Sequence, residues 1–251
     1  MLKFRKMASI LALGTVFMAV EAMAAGGGAA LEPAKIEPGN VASLQRGARN
    51  FMNYCSGCHS AQYVRYNTIG KYLELSEEQL IDNLMFNADK TFETIQASMP
   101  SDDAKRWYGV APPDLSLTAR AKGVDHVYNF LKGFYVEEGS PTGVNNLVLA
   151  GTSMPHVLWE LQGHQTANFS HHENEDGSVT TTFEGFEMLS AGAMDAEDYD
   201  DFVRDTVNFL AYISEPIRSD RRKLGVWVLM FLIFFYILAS MLKKQIWKDV
   251  K

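Results

Sequence analysis

The chain has only two cysteines among its 251 residues, Cys55 and Cys58. So small a supply excludes a disulfide framework. Basic residues are also scarce through the middle of the chain. Residues 25–217 hold 12 Lys plus Arg against 27 Asp plus Glu, a formal charge of −15. The whole-chain value is only −7, because both termini are basic. A domain this acidic repels phosphates, which excludes nucleic acid as a partner, and it attracts basic proteins. No internal repeat is present. Nothing around the cysteines has the strand–helix–strand setting that a thioredoxin-like dithiol expects.

What is present begins at the two ends. Residues 1–24 open with Lys3, Arg5 and Lys6, continue with an apolar run from Ile10 to Val20, and close on Ala22-Met23-Ala24. That order reads as a secretory signal peptide, cleaved after Ala24. The apolar run is too short for a comfortable membrane span, which weighs against a retained N-terminal anchor.

The other end differs. Leu224 to Leu242 is a run of 19 residues without a charge. As a helix it extends roughly 28 Å, close to the hydrocarbon thickness of a bilayer. Trp227 and Trp247 flank it, and Lys243, Lys244, Lys248 and Lys251 follow. A soluble core helix would need a second apolar shell on every face. The expected organisation is a signal peptide at 1–24, a water-soluble domain at 25–217, and an anchor at 218–251 with its span at about 224–242. Arg218, Arg221, Arg222 and Lys223 balance the four lysines, so charge does not orient the span. The signal peptide does. It sends the domain across the inner membrane into the periplasm and leaves the C-terminal tail in the cytoplasm.

The cysteines stand in Tyr54-Cys55-Ser56-Gly57-Cys58-His59-Ser60. Cys-x-x-Cys-His is the attachment signature of c-type haem. Thiols three positions apart lie on one side of a helical turn and reach the two vinyl groups of a porphyrin. The histidine that follows can then swing beneath the ring and bind iron. Gly57 lets the backbone pass close to the macrocycle. One covalent haem c is expected, on Cys55 and Cys58, with His59 as the proximal ligand.

The sixth ligand must come from elsewhere. A thioether favours the ferrous state and raises the potential, so a methionine suits electron transfer. Met85 falls in a helical pattern from Glu77 to Asn87 and belongs to the core. Met99 and Met154 each precede a proline, which holds the methionine extended. Met99 comes soon after His59 and is followed by Asp102-Asp103. Met154 lies in Ala150-Gly151-Thr152-Ser153-Met154-Pro155-His156, between apolar segments. Spacing and setting favour Met154 over Met99.

Taken together, the chain resembles the cytochrome c1 family of proteobacterial type. The haem subunits of ubiquinol–cytochrome c oxidoreductase, the cytochrome bc1 complex, make up that family. The resemblance rests on the haem segment with Arg65-Tyr66-Asn67, and on Trp107-Tyr108-Gly109-Val110-Ala111-Pro112-Pro113-Asp114-Leu115-Ser116 running on to Arg120-Ala121. It continues through Tyr128–Tyr135, Pro141–Asn146, Met154-Pro155 and the single C-terminal anchor. It implies that Met154 is the axial ligand, that Arg120 faces a haem propionate, and that Pro112 packs along the haem edge. Guanidinium is apt there, since a buried propionate needs a cation with paired donors. Asp114 is expected to cap a helix beginning near Ser116. The implied partners are cytochrome b, a Rieske iron–sulfur protein and a soluble c-type cytochrome, in a complex that is a homodimer of protomers. By itself the chain would be an electron carrier. Catalysis, as a quinol–cytochrome c reductase, would belong to the complex.

The expected fold is mainly α: a cytochrome c-like haem domain with long loops between residues 88 and 190, plus one transmembrane helix. Helical periodicity marks Glu77 to Asn87, Val124 to Phe134 and Asp198 to Ser214. One small β-hairpin is expected within Phe169–Leu189, turning at Asp176-Gly177. His171 and His172 beside its acids read as a solvated loop, because no further metal ligands have proper spacing. Two other functions compete. A free tethered carrier expects a smaller domain on a flexible tether. A haem peroxidase or gas sensor expects an open sixth site and often a second haem motif.

Overall fold

The structure, a computed structural model, describes residues 31–174 and 178–249. The expected signal peptide and the Asp176-Gly177 turn lie outside the described residues.

Two helices from opposite ends of the domain form its spine. Helix α1 spans Val41–Tyr54. Asn40 starts it by accepting a hydrogen bond from the Ser43 N–H at 3.1 Å. Its buried face carries Leu44, Ala48 and Phe51, at the spacing of one helical stripe. The chain then forms strand β1 (Ala61–Arg65), helix α2 (Tyr66–Tyr72) and helix α3 (Glu77–Leu84). A capping box between Ser76 and Gln79 starts α3. That helix ends before the expected Asn87, and Met85 leaves it to pack against the core.

Strand β2 (Thr94–Ile95), helix α4 (Ser101–Tyr108), helix α5 (Thr118–Lys122) and helix α6 (Val124–Lys132) follow. The expected helix to Phe134 stops two residues early. Gly133 interrupts it, and Phe134-Tyr135-Val136 suits a strand better. Those residues form β3 (Phe134–Val136), antiparallel to β4 (Val144–Asn146). A single turn, α7 (Trp159–Gln162), leads to β5 (Gly163–Glu173) and β6 (Val179–Ala191). The last two elements are α8 (Ala196–Ser214) and α9 (Arg218–Ile246).

The fold is mainly helical, with three separate two-stranded antiparallel ribbons among the described residues. The β5–β6 hairpin is larger than expected, with strands of 11 and 13 residues and two register shifts. Its base, Gly163 to Asn168, is polar and small, so no apolar alternation marks it in the sequence.

Helix α8 is capped by Asp195, which accepts from the Glu197 and Asp198 N–H groups. It crosses α1 at Gly47. A Cβ there would stand 2.0 Å from the Asp205 carbonyl oxygen, so only glycine permits the approach. Polar groups line the same seam. Ser43 Oγ donates to Asp205 Oδ1 at 2.6 Å, and Arg46 Nη2 donates to the same oxygen at 3.0 Å. Asn208 Nδ2 donates to Ser43 Oγ at 2.8 Å.

Only Glu215-Pro216-Ile217 separates α8 from α9. Asp220–Ile246 is long and apolar enough to cross a membrane, and none of its apolar stretch is buried among the described residues. This fits a single-pass membrane anchor. The helix runs beyond the uncharged stretch at both ends.

A second ionic cluster ties α6 to α8. Lys132 Nζ lies 2.6 Å from Asp200 and 2.9 Å from Glu32, and donates to the Tyr128 hydroxyl at 3.0 Å. Burial alone would raise the Asp200 carboxyl. Hydrogen bonds from Lys132 and Tyr128 outweigh it and hold the group below its ordinary value. A carboxylate depressed on folding stabilises the native state above the ordinary carboxylate range, and that contribution fades as pH falls. Asp200→Asn therefore lowers stability at pH 7. It also flattens the loss of stability below about pH 4, measured by thermal unfolding across a pH series.

Candidate haem-binding site

The haem motif leaves the C-terminal end of α1 as one further turn. The Cys58 N–H bonds the Cys55 carbonyl at 3.0 Å, and the His59 N–H bonds the same oxygen at 2.8 Å. Both cysteines are free and half-buried, on one turn, as the spacing predicts. As a thiol, Cys55 is pushed up to about 12, first by burial and then by Cys58. Burial pushes Cys58 up as well. A redox dithiol needs the opposite, a stabilised thiolate. Where Gly57 lacks a side chain there is open space.

His59 is oriented from far along the chain. Its Nδ1 lies 2.7 Å from the Pro113 carbonyl oxygen, 54 positions away. A carbonyl can only accept, so Nδ1 carries the proton and Nε2 keeps its lone pair. Burial pushes the ring below its ordinary pKa and outweighs the Pro113 bond and the nearby Asp114, which act in the other direction. A neutral imidazole with one nitrogen pinned by a carbonyl is the usual form of a metal-ligating histidine.

Asp114 holds the Pro113 segment in place. Its carboxylate accepts from Ser60 Oγ at 2.8 Å, the Gln62 N–H at 2.8 Å and the Ser116 N–H at 2.9 Å. Two of those donors belong to the segment just after the haem motif. The expected helix cap is thus replaced by a clamp between two segments. Helix α5 begins only at Thr118, with no side-chain cap. The Leu115 N–H adds a bond to the Ser60 carbonyl at 2.8 Å. Burial would raise Asp114, but its hydrogen bonds win and hold it below the ordinary range.

The other expected site residues fall as follows. Pro112 is half-buried and directly precedes Pro113, whose carbonyl accepts from His59. Arg120 is exposed on α5. Arg46, Arg106 and Arg204 each form a salt bridge, whereas the Arg120 guanidinium has none among the described residues. An unpaired guanidinium is available to an anionic ligand. Met154 is half-buried in the loop between β4 and α7, and its N–H bonds Thr152 Oγ1 at 3.3 Å. Met99, the other candidate, is tied by its N–H to the Gly57 carbonyl at 2.9 Å. Among the described residues no group of three or more His, Cys, Asp and Glu gathers as a metal site. His171 Nδ1 instead pairs with Thr181 Oγ1 across the hairpin at 3.0 Å.

The donor set fits a covalently attached haem: two thiols on one turn and a neutral imidazole with Nε2 free. Comparison with known proteins agrees. The family described as Cytochrome C1 family matches residues 36–250. This chain belongs to the cytochrome c1 family. Cytochrome c1 of Allochromatium vinosum is 46% identical over 228 residues, covering 91% of this chain and 93% of that protein. A protein of Nitrosomonas europaea named ammonia monooxygenase gamma subunit is 39% identical over 220 residues, covering 88% of each chain. The mitochondrial cytochrome c1 heme protein of Saccharomyces cerevisiae is 26% identical, covering 84% of this chain and 68% of its own. As a member of the cytochrome c1 family, this chain carries covalently bound c-type haem and serves electron transport.

Sequence reasoning found the motif but missed Pro113 and Asp114 as its supports. Pro113 was in view only as part of a family segment. Asp114→Ala removes three acceptor contacts and lowers stability by about 1–3 kcal/mol. Because Asp114 also steadies the His59 acceptor, the change broadens the proximal-histidine signals in paramagnetic NMR of the ferric protein.

Proposed function

We propose that this chain is the electron-transfer haem subunit of a quinol–cytochrome c oxidoreductase. It takes electrons from a Rieske iron–sulfur protein and passes them to a soluble c-type cytochrome. Family membership supports the bc1 role, and the apolar helix α9 supports membrane attachment. The observation that carries the reading is His59, held by Pro113 with Nε2 free, on the same turn as Cys55 and Cys58.

In this reading Cys55 and Cys58 would hold the macrocycle by thioethers, and His59 and Met154 would bind its iron. Arg120 neutralises a propionate, and Pro112 packs along the ring edge. The bound haem supplies a one-electron couple, whose potential a thioether ligand raises. The protein's own residues fix the ligands and exclude water. Nothing in the chain needs to bind quinone, a task that falls to cytochrome b. The parent complex is a homodimer of protomers. Residues 1–24 are a cleaved leader and residues 25–217 form the periplasmic domain. The C-terminal segment, residues 218–251, anchors it and ends in the cytoplasm.

The acidic domain supports a basic carrier as acceptor. Its charge raises the encounter rate at low ionic strength, and salt screens the effect. Reduction of a basic soluble cytochrome c by the assembled complex therefore slows steeply with added salt, while an acidic cytochrome shows no such decline. A salt-independent rate with the basic carrier would sink the steering claim.

The subunit claim is tested by extracting the full chain in mild detergent with a tag after Lys251, then identifying co-purifying proteins by mass spectrometry. Equal amounts of a multi-span cytochrome b and a Rieske protein are expected. Recovery of the haem protein alone, across several mild detergents, would favour a free tethered carrier.

A further inference from the structure

His156 lies two residues beyond Met154, with Pro155 between them. It is 7% exposed, and its ring stacks face to face on Phe134, with centroids 5.0 Å apart and planes at 7°. Phe134 is itself 1% exposed and locked edge-on against Phe130. The exit of the Met154 loop is thus held against strand β3.

The entry of the same loop is held by strand β4. Asn146, 1% exposed, donates from Nδ2 to the Phe130 carbonyl at 2.7 Å. Its Oδ1 accepts from the Val148 and Leu149 N–H groups at 2.9 and 3.2 Å. Asn145 Oδ1 accepts from the Gly151 N–H at 2.8 Å. Phe134 and Asn146 are direct partners across the β3–β4 ribbon. One cross-strand pair therefore grips both ends of the loop that carries Met154.

The grip at the exit acts through the face of the ring. Neither His156 nitrogen has a hydrogen-bond partner among the described residues. Gln162 and the Gly163 backbone lie beside the ring without reaching hydrogen-bond geometry. A buried imidazole with both nitrogens unsatisfied stays where it is because of what its face packs on.

We propose that His156 is a positioning residue for the sixth haem ligand. Its stack on Phe134, with Asn146 at the other end, sets the reach of the Met154 sulfur toward iron. The inference rests on the reading of Met154 as that ligand. Pro155 makes the coupling stiff. Its fixed φ, and the extended backbone it imposes on Met154, transmit a displacement of His156 rather than absorb it.

The test uses the full-length chain in detergent-solubilised membranes, with four variants. The readouts are the weak red charge-transfer absorption of methionine-ligated ferric haem and carbon monoxide binding by the ferrous form. His156→Ala and His156→Leu lose the ring face, so both show a severalfold loss of the red band and new carbon monoxide binding. His156→Phe keeps the face and retains the wild-type band, which a role for the ring nitrogens would not allow. Met154→Ala loses the band altogether. If His156→Ala and His156→Leu keep the wild-type spectrum while Met154→Ala loses it, the positioning role is overturned and the ligand stands. Loss of the band in His156→Phe overturns the stacking argument. A band that survives Met154→Ala overturns the ligand assignment itself. Should His156→Ala fail to accumulate, the contrast between His156→Leu and His156→Phe decides alone.

Discussion

Helices α1 and α8 meet backbone to backbone at Gly47, and the rest of the domain hangs from that contact. The missing Cβ lets the Asp205 carbonyl come within a distance no side chain allows. Close approach brings Phe51, Val203 and Val207 into one buried layer, and it lets Ser43, Arg46 and Asn208 converge on one polar seam. Both functional ends of the molecule extend from this pair. The haem turn follows the last residue of α1, and the membrane helix follows α8 after three residues. The crossing fixes where the turn that carries Cys55, Cys58 and His59 leaves the helix pair. Chain entropy would oppose such order in a short helix standing alone.

The site itself is assembled by hydrogen bonds of long sequence separation. His59 receives its orientation from Pro113, and Asp114 bridges Ser60, Gln62 and Ser116. Within the His59 ring, these bonds leave Nε2 with its lone pair free. The two cysteines are poor thiolates in this setting, which separates them from a disulfide-exchange pair. The β3–β4 ribbon frames the Met154 loop through Phe134 and Asn146. Short polar and aromatic contacts, rather than a large core, hold the functional groups.

Much of the fold was legible from local pattern. The periodic stretches from Glu77 and from Asp198, and the uncharged run of α9, all announce helices by spacing alone. The errors have physical causes. Gly133 turns a helical pattern into a strand start at Phe134, where β-propensity and a cross-strand partner override periodicity. The β5–β6 hairpin extends through Gln165 and Thr166, whose polarity hides the strand. Asp114 resembles a helix cap because an aspartate after two prolines commonly is one. Its actual partners, Ser60 and Gln62, lie far back in the chain.

By itself, then, the sequence determined the chemistry that is contiguous: Cys55, Cys58 and His59 on one turn, a family signature from Trp107 to Ser116, and an apolar helix long enough for a bilayer. Those features depend on neighbours within a few residues, where spacing and geometry are nearly the same thing. Only the tertiary structure decided which carbonyl pins His59, what the Asp114 carboxylate clamps, why residue 47 is glycine, and what His156 rests on. Each of these depends on groups brought together by packing across tens of residues. No local rule of periodicity, capping or turn chemistry records such distances.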